Sequence, residues 1–362
     1  MERVDIMKDI ALTRDLLNSQ KILFHYGQML EDIAKGKQNF NPVAIEIHPT
    51  AVCNHQCIHC SYKERNESRA SLSKEVMDKL TDSVIRMGIR AVYFSGGGEP
   101  TVYPGLAEYI NKLCDHGVEC AVLTNGSCFA QQGLISLANK LNYIAVSVPA
   151  VDEETFKTIT GTYNLEKVLA LPGQIKATHG EESPVIGARI VLTNKNYHQV
   201  GDFLAAMREN LFDYALFKIV RDYEDNGQGL CKDEEDTLKE EIRNYSDLSP
   251  DFTNLSTIFN YRTLPEFKNR CWTNYYGMLA NVSTDGKVYP NIVEIDKEEF
   301  CIGDLHEMEL EEMWNGERHA AVKAFSDKKW CSGSCKNCRA ISYNAIINDL
   351  IERLPHYFDP FI

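Results

Sequence analysis

Apolar residues fall along the first two thirds of the chain in short, near-continuous runs, separated by stretches in which they recur at helical spacing. The runs Val43 to His48, Ala91 to Ser95, Glu119 to Thr124, Tyr143 to Val148, Val185 to Thr193 and Tyr214 to Val220 read as strands. Runs of this kind, without strict alternation, belong to strands covered on both faces, the setting of a parallel sheet. Between them lie predicted helices: one to Met87 with Ser73 as N-cap, Leu106 to His116 closed by Gly117, Phe129 to Lys140, one capped by Asp152 running through Ile159, and Val200 to Asn210. Such alternation predicts an α/β fold with its chemistry at the carboxyl ends of the strands. Ahead of it, Ile10, Leu16, Leu17 and Leu23 recur at helical spacing and predict one or two N-terminal helices. Residues 222–270 are polar and helical in part, and their run Asp233 to Asp236 reads as a solvated helix face.

Composition narrows the picture. The chain has 362 residues, 44% hydrophobic and 25% charged, enough for two domains or one large domain with an appendage. A net charge of −14 disfavours nucleic acid as a partner. No apolar run approaches the roughly 18 residues of a membrane span, and Met1 to Ile6 carries no signal-type stretch, so a cytoplasmic protein without a membrane partner is expected. In that compartment the 12 cysteines are thiols or metal ligands, not disulfides.

Their spacing is the strongest signal. Cys53, Cys57 and Cys60 form C-x3-C-x2-C in the run Cys53-Asn54-His55-Gln56-Cys57-Ile58-His59-Cys60, and no fourth Cys follows within about fifty residues. Three thiolates can hold three irons of a four-iron, four-sulfur (4Fe–4S) cluster and leave the fourth open to a small molecule. A zinc site completed by His55 and His59 is the alternative. Glu46-Ile47-His48-Pro49-Thr50 leads into this loop as a strand would, and Gly96-Gly97-Gly98-Glu99-Pro100 follows the next strand. The chain thereby resembles the radical S-adenosylmethionine (radical SAM) superfamily, with Gly97 to Pro100 in the place of its GGEP motif and His59 at its planar position before the last Cys. The resemblance implies a partial (β/α)6 barrel, and a cluster whose open iron binds S-adenosylmethionine. One electron from a flavodoxin- or ferredoxin-type donor then yields a 5′-deoxyadenosyl radical that takes a hydrogen atom from substrate.

A second group follows: Cys271, the hairpin signal Asp285-Gly286, Cys301, a helix containing Met313-Trp314, then Cys331, Cys335 and Cys338. From about 271 to 340 this order resembles the SPASM or twitch module, with Asn291 where the family often has Cys. One auxiliary 4Fe–4S cluster is expected, with Cys335 and Cys338 as ligands, then Cys271, and Cys301 or Cys331 in the fourth place. A four-thiolate zinc site is the alternative. The expected domains are an N-terminal helical segment (1–40), the partial barrel (41–225), a helical bridge (226–270) and the auxiliary-cluster domain (271–362).

The resemblance also suggests roles. Gly97 and Gly98 let backbone approach the cofactor's ammonium, and Glu99 can pair with it. Ser147 ends the fourth strand, where relatives contact the cofactor's ribose or carboxylate, although the usual following Asp is absent from Ser147-Val148-Pro149. Arg189 interrupts an apolar strand and is read as a ligand of the cofactor carboxylate, an anionic-substrate ligand or half of a structural ion pair. His48 is a supporting residue, Asn125 a turn residue, and Cys114, Cys120 and Cys128 small core residues. Cys231 is either a helix-start residue or the thiol that returns a hydrogen atom to a substrate radical. Asp222 and Glu224 are the candidate bases for an oxidation. The first 40 residues are short for the peptide-binding module of many peptide-modifying relatives. A small polar metabolite, such as a sugar, nucleotide-sugar or aminocyclitol, is therefore the expected substrate, epimerised or dehydrogenated. A peptide substrate, and a non-catalytic iron–sulfur carrier, are the alternatives.

Overall fold

A computed structural model describes residues 40–220, 227–245, 252–255, 258, 271–277, 279–330 and 344. All six expected strands form: β1 (Ala44–Ile47), β2 (Ala91–Phe94), β3 (Glu119–Thr124), β4 (Leu141–Ser147), β5 (Val185–Leu192) and β6 (Tyr214–Ile219). They pair in sequence order, all parallel. The sheet is open, not a closed barrel, and it does not end at β1. β7 (Leu279–Val282) pairs parallel to β1, and β8 (Lys287–Tyr289) and β9 (Gly303–Asp304) continue it antiparallel, giving the order β6-β5-β4-β3-β2-β1-β7-β8-β9. The Asp285-Gly286 turn joins β7 to β8 as its chemistry predicts, with Gly286 at φ +85°.

Local chemistry sets the helices. α1 (Lys63–Glu67) follows the cysteine loop. In α2 (Lys74–Arg86), Ser73 accepts the Val76 N–H as N-cap at 3.2 Å. α3 (Leu106–Asp115) ends before Gly117 at φ +79°. α4 (Glu153–Thr160) is capped by Asp152, which accepts the Thr155 N–H at 2.9 Å. The helix expected over 129–140 is instead a turn followed by a 3-10 helix at Leu134–Lys140, because Gly133 at φ +70° interrupts it. α5 (Leu165–His179) was not anticipated; Pro172 lies inside it. α6 (Val200–Glu209) precedes β6, and α7 (Lys232–Arg243) buries only Leu238, leaving the acidic run to face solvent.

Ile45, Ile47, Val92, Phe94, Val122, Ile144, Val146, Ala188, Ile190 and Phe217 alternate into one core against the helices. The intervening residues Glu46, Tyr93, Tyr143, Ser147, Gly187, Arg189 and Tyr214 therefore share the opposite, concave face. In the C-terminal unit, α8 (Trp272–Tyr275), α9 (Leu310–Asn315) and α10 (Glu317–Trp330) pack around Trp314, whose Nε1–H donates to the Phe40 carbonyl at 2.7 Å. The Lys79 ammonium on α2 donates to the Leu305 carbonyl at 3.0 Å, and Arg86 pairs with Glu309 at 3.1 Å.

Candidate active site

The cysteine loop leaves the carboxyl end of β1 and is held from three sides. Its Gln56 and Ile58 N–H groups donate to the Thr160 and Ile159 carbonyls at the end of α4, at 2.8 and 2.9 Å. Asn54, between the first two cysteines, donates to the Ser127 hydroxyl at 2.7 Å and to Cys128 Sγ at 3.3 Å, and accepts the Asn125 amide at 2.8 Å. The third side is the glycine turn after β2. Gly98 and Glu99 donate their N–H groups to the Thr50 and Val52 carbonyls, both at 2.9 Å. A Cβ on Gly98 would lie 2.2 Å from the Val52 oxygen, so only glycine permits this approach.

Cys53, Cys57 and Cys60 lie half-buried and within electrostatic reach of one another. Burial pushes the Cys53 thiol up to about 11 and the Cys57 thiol up to about 12, with neighbouring Cys60 and Glu99 adding to the rise. Thiols so placed stay protonated until a cation draws off the proton, and ligand thiolates bind metal in the deprotonated form. Cys53 Sγ accepts the His55 N–H at 3.4 Å, and Cys60 Sγ accepts the Asn66 side-chain amide at 3.9 Å. His55 Nε2 and His59 Nδ1 are buried without hydrogen-bond partners, and burial lowers both imidazoles to about 4. Three thiols with orphaned ring nitrogens beside them suit a cluster whose sulfides accept hydrogen bonds. Among the described residues, no three His, Cys, Asp or Glu side chains gather as a single-ion site.

Glu99 is 3% exposed. Its Oε1 accepts from the Thr101 N–H at 3.0 Å, the Thr101 hydroxyl at 2.6 Å and the Thr124 hydroxyl at 2.6 Å, and its Oε2 from the Asn125 N–H at 2.7 Å. Burial raises its pKa while these donors oppose the rise. The carboxylate thus ties the glycine turn to the end of β3, and Asn125, expected as a plain turn residue, joins that tie to Asn54.

Ser147 and Arg189 are register partners on β4 and β5; Ser147 is exposed, and Arg189 is half-buried with its Nε shielded and unpartnered. Cys231 stands at the start of α7, exposed, its N–H donating to Glu234 at 2.8 Å. The preceding residues are tied to the loop after β5, since Asn194 donates its side-chain amide to the Gly227 carbonyl at 2.7 Å. Cys231 therefore lies at the rim, and no described contact joins it to the concave face. Asp222 and Glu224 lie outside the described residues. So do Cys331, Cys335 and Cys338. Cys271 is buried and accepts the Asn344 amide at 3.6 Å; Cys301 is buried within the core, where burial raises its pKa. Cys120 is a core residue, whereas Cys114 and Cys128 are half-buried. His48 is fully buried, and its Nε2 meets Glu46 Oε1 at 3.1 Å. The sequence reading passed over Glu46, Tyr93 and Tyr143. Their signal was a polar or phenolic residue at alternate positions of otherwise apolar strands.

The family model described as the radical SAM superfamily matches residues 47–207, and that of the SPASM iron–sulfur cluster-binding domain matches 271–339. The chain carries a radical SAM domain followed by a SPASM domain. A radical SAM domain implies a 4Fe–4S cluster and S-adenosylmethionine, and a SPASM domain implies auxiliary iron–sulfur clusters. Among curated relatives, a probable GTP 3′,8-cyclase of Sulfurisphaera tokodaii is 32% identical over 43% of this chain and 49% of its own length. The chain thus spans about half the length of the cyclase relatives, or less. A tungsten-containing aldehyde ferredoxin oxidoreductase cofactor-modifying protein of Pyrococcus furiosus is 24% identical over 80% of this chain and 85% of its own. Of solved structures, Streptococcus suis SuiB bound to S-adenosylmethionine superposes with a TM-score of 0.63 at 15% identity, covering 88% of this chain and 76% of SuiB, a likeness of fold. No described helix is long and apolar enough to cross a membrane.

Proposed function

We propose that this radical SAM enzyme abstracts a hydrogen atom from a small polar metabolite, a sugar, nucleotide-sugar or aminocyclitol, and epimerises or dehydrogenates it. The observation that carries the radical chemistry is the convergence of Cys53, Cys57, Cys60 and Glu99 at the carboxyl ends of β1 and β2. Cys53, Cys57 and Cys60 hold the cluster. The turn from Gly97 to Glu99 receives the cofactor's ammonium, and Ser147 and Arg189 its ribose or carboxylate, with His59 flanking the loop. When bound, cluster and cofactor supply the 5′-deoxyadenosyl radical. The protein's share is to orient the reactants and keep water from them. Cys271, Cys335 and Cys338, with Cys301 or Cys331, hold one auxiliary cluster.

The small-metabolite reading is favoured by the relatives' names: one group is named for GTP, and the relative matched over most of its length for modifying a cofactor. The peptide reading draws on SuiB, solved with the precursor peptide SuiA and alike in fold. The test is anaerobic incubation of reconstituted, reduced protein with S-adenosylmethionine and candidate metabolites in heavy water. Formation of 5′-deoxyadenosine, stimulated by a metabolite and not by peptides, is expected. Absence of 5′-deoxyadenosine would sink the catalytic reading, and stimulation by peptide alone the metabolite reading.

A further inference from the structure

Two cysteines outside both cysteine groups meet at the amino end of β3. Cys114 lies in the last turn of α3 and Cys120 near the start of β3, with Asp115 to Glu119 between them. The connection folds back tightly. The Gly117 N–H donates to the Cys114 carbonyl at 2.9 Å and the Val118 N–H to the Leu113 carbonyl at 3.0 Å, a helix end closed by a left-handed glycine. Both thiols then stand against the same point of the neighbouring chain. The Cys114 thiol donates to the Lys140 carbonyl at 3.4 Å, and Cys120 is in register with Leu141, the next residue. The Cys120 thiol donates to the Val118 carbonyl at 3.7 Å. The two sulfurs are close enough for each to act on the other as a hydrogen-bond partner.

The pair is unequal in reach and in acidity. Cys120 is 1% exposed, whereas Cys114 is half-buried, so a small solute can touch it. The hydrogen bond from Cys120 lowers the Cys114 thiol, against the rise from burial, and the Lys140 ammonium adds to the fall. The same bond, together with burial, raises the Cys120 thiol. An accessible thiol of lowered pKa beside a second thiol is the arrangement in which oxidation ends at a disulfide.

We propose that Cys114 and Cys120 are a redox-active dithiol, which a peroxide converts to a disulfide and a dithiol reductant restores. The Cys114 thiolate attacks one oxygen of hydrogen peroxide. The O–O bond breaks, an S–O bond forms, and the departing hydroxide takes up the proton that the thiol gave up and leaves as water. The Cys120 sulfur then attacks the sulfenic sulfur of Cys114. The S–O bond breaks, the S–S bond forms, and the hydroxyl leaves as a second water with the Cys120 proton. The two sulfurs lose two electrons in all, and the peroxide gains them. The bridge closes a short loop, so it adds little to stability and stays open to thiol–disulfide exchange. It lies at the far end of β3 from Thr124 and Glu99, away from the thiols of the cysteine loop.

The experiment treats reconstituted full-length protein with hydrogen peroxide in rising amount, blocks the remaining thiols with N-ethylmaleimide and reads disulfides by mass spectrometry. Cleavage at Lys112, Glu119 and Lys140 puts Cys114 on one peptide and Cys120, with Cys128, on the next. The two peptides should be recovered linked, two hydrogens lighter than their sum, and should separate after dithiothreitol. Cys120→Ala should lose the link and leave Cys114 as a sulfenic acid that dimedone traps, whereas Cys128→Ala should keep the link. Recovery of Cys114 as its maleimide adduct, at a peroxide level that oxidises the exposed Cys231, overturns the proposal. So does a link that survives in Cys120→Ala and therefore runs to Cys128. If circular dichroism shows that Cys120→Ala does not fold, the parent's linked peptide decides, because fragmentation between Cys120 and Cys128 shows which of them carries the bridge.

Discussion

Thr124, at the end of β3, donates its hydroxyl to Glu99 Oε1 at 2.6 Å across the carboxyl end of the sheet. Together with Thr101 and Asn125, it holds a carboxylate that burial would otherwise penalise. Replacing Glu99 by Gln keeps the shape but turns a donor toward donors. Charge-assisted bonds of this kind are worth roughly 1.5–3 kcal/mol. Glu99→Gln should weaken S-adenosylmethionine binding by about one to two decades while leaving the iron in place. Calorimetric affinity equal to the parent's would remove Glu99 from the cofactor site.

Loss of Cys53, Cys57 and Cys60 together, each to Ala, should remove about four irons per chain and abolish S-adenosylmethionine cleavage. About four irons should remain in the C-terminal unit, with the brown colour of an iron–sulfur protein. Zinc there in place of iron, measured anaerobically, would count against the auxiliary cluster. Cleavage surviving in the triple variant would count against the whole assignment.

Gly98→Ala should be damaging out of proportion to one methyl group. The added Cβ meets the Val52 carbonyl oxygen at 2.2 Å, backbone against backbone. Overpacking of that order costs about 1–3 kcal/mol. Relief of it must part the glycine turn from the cysteine loop. A lower melting temperature with poorer cluster reconstitution is expected, and wild-type values of both would contradict the contact.

Stability of the apoprotein should fall on mild acidification, in part through His319. This residue is 1% exposed, its Nδ1 lies 2.6 Å from the Trp314 carbonyl, and burial, with Lys323 nearby, lowers it to about 4. The unfolded chain takes up that proton near pH 6.5 and the folded chain only near pH 4. Its contribution is thus complete above the first value and lost toward the second. Between pH 7 and 5 this amounts to about 2 kcal/mol. His319→Phe should flatten the unfolding free energy against pH by that amount; an equal slope in both proteins would refute the buried neutral imidazole.

Cys231 separates two outcomes of the reaction. In an epimerase it returns the hydrogen atom, so Cys231→Ala would still form 5′-deoxyadenosine but little inverted product, and the parent's product would carry solvent deuterium. In a dehydrogenase the same variant would be nearly silent. Its exposed place at the start of α7 favours the second result. Parent product labelled from heavy water, with inversion lost in the variant, would reverse that expectation.

The strands were legible because each is a local apolar run, and the caps because Ser73, Asp152 and Gly117 each act within one turn of chain. The cysteine loop was legible because its three thiols, Cys53, Cys57 and Cys60, lie within one short stretch of chain. What escaped was interrupted or non-local. Pro172 and Gly173 hide α5 from a propensity reading, although tertiary packing keeps it helical. Glu46 and Tyr93 look like flaws in apolar strands until the register sets them side by side. The pairing of β7 with β1 joins residues more than two hundred positions apart, and no local pattern carries it.

That pairing has a consequence for anyone who would divide the chain. Ala44 to Ile47 is flanked by strands on both sides only while Leu279 to Val282 is present. A truncation before Cys271 would bare a row of unpaired amides and carbonyls beside the cysteine loop, an open invitation to intermolecular β-association. The two cysteine groups are thus inherited as one folding unit, and the N-terminal half alone should be recovered as aggregate.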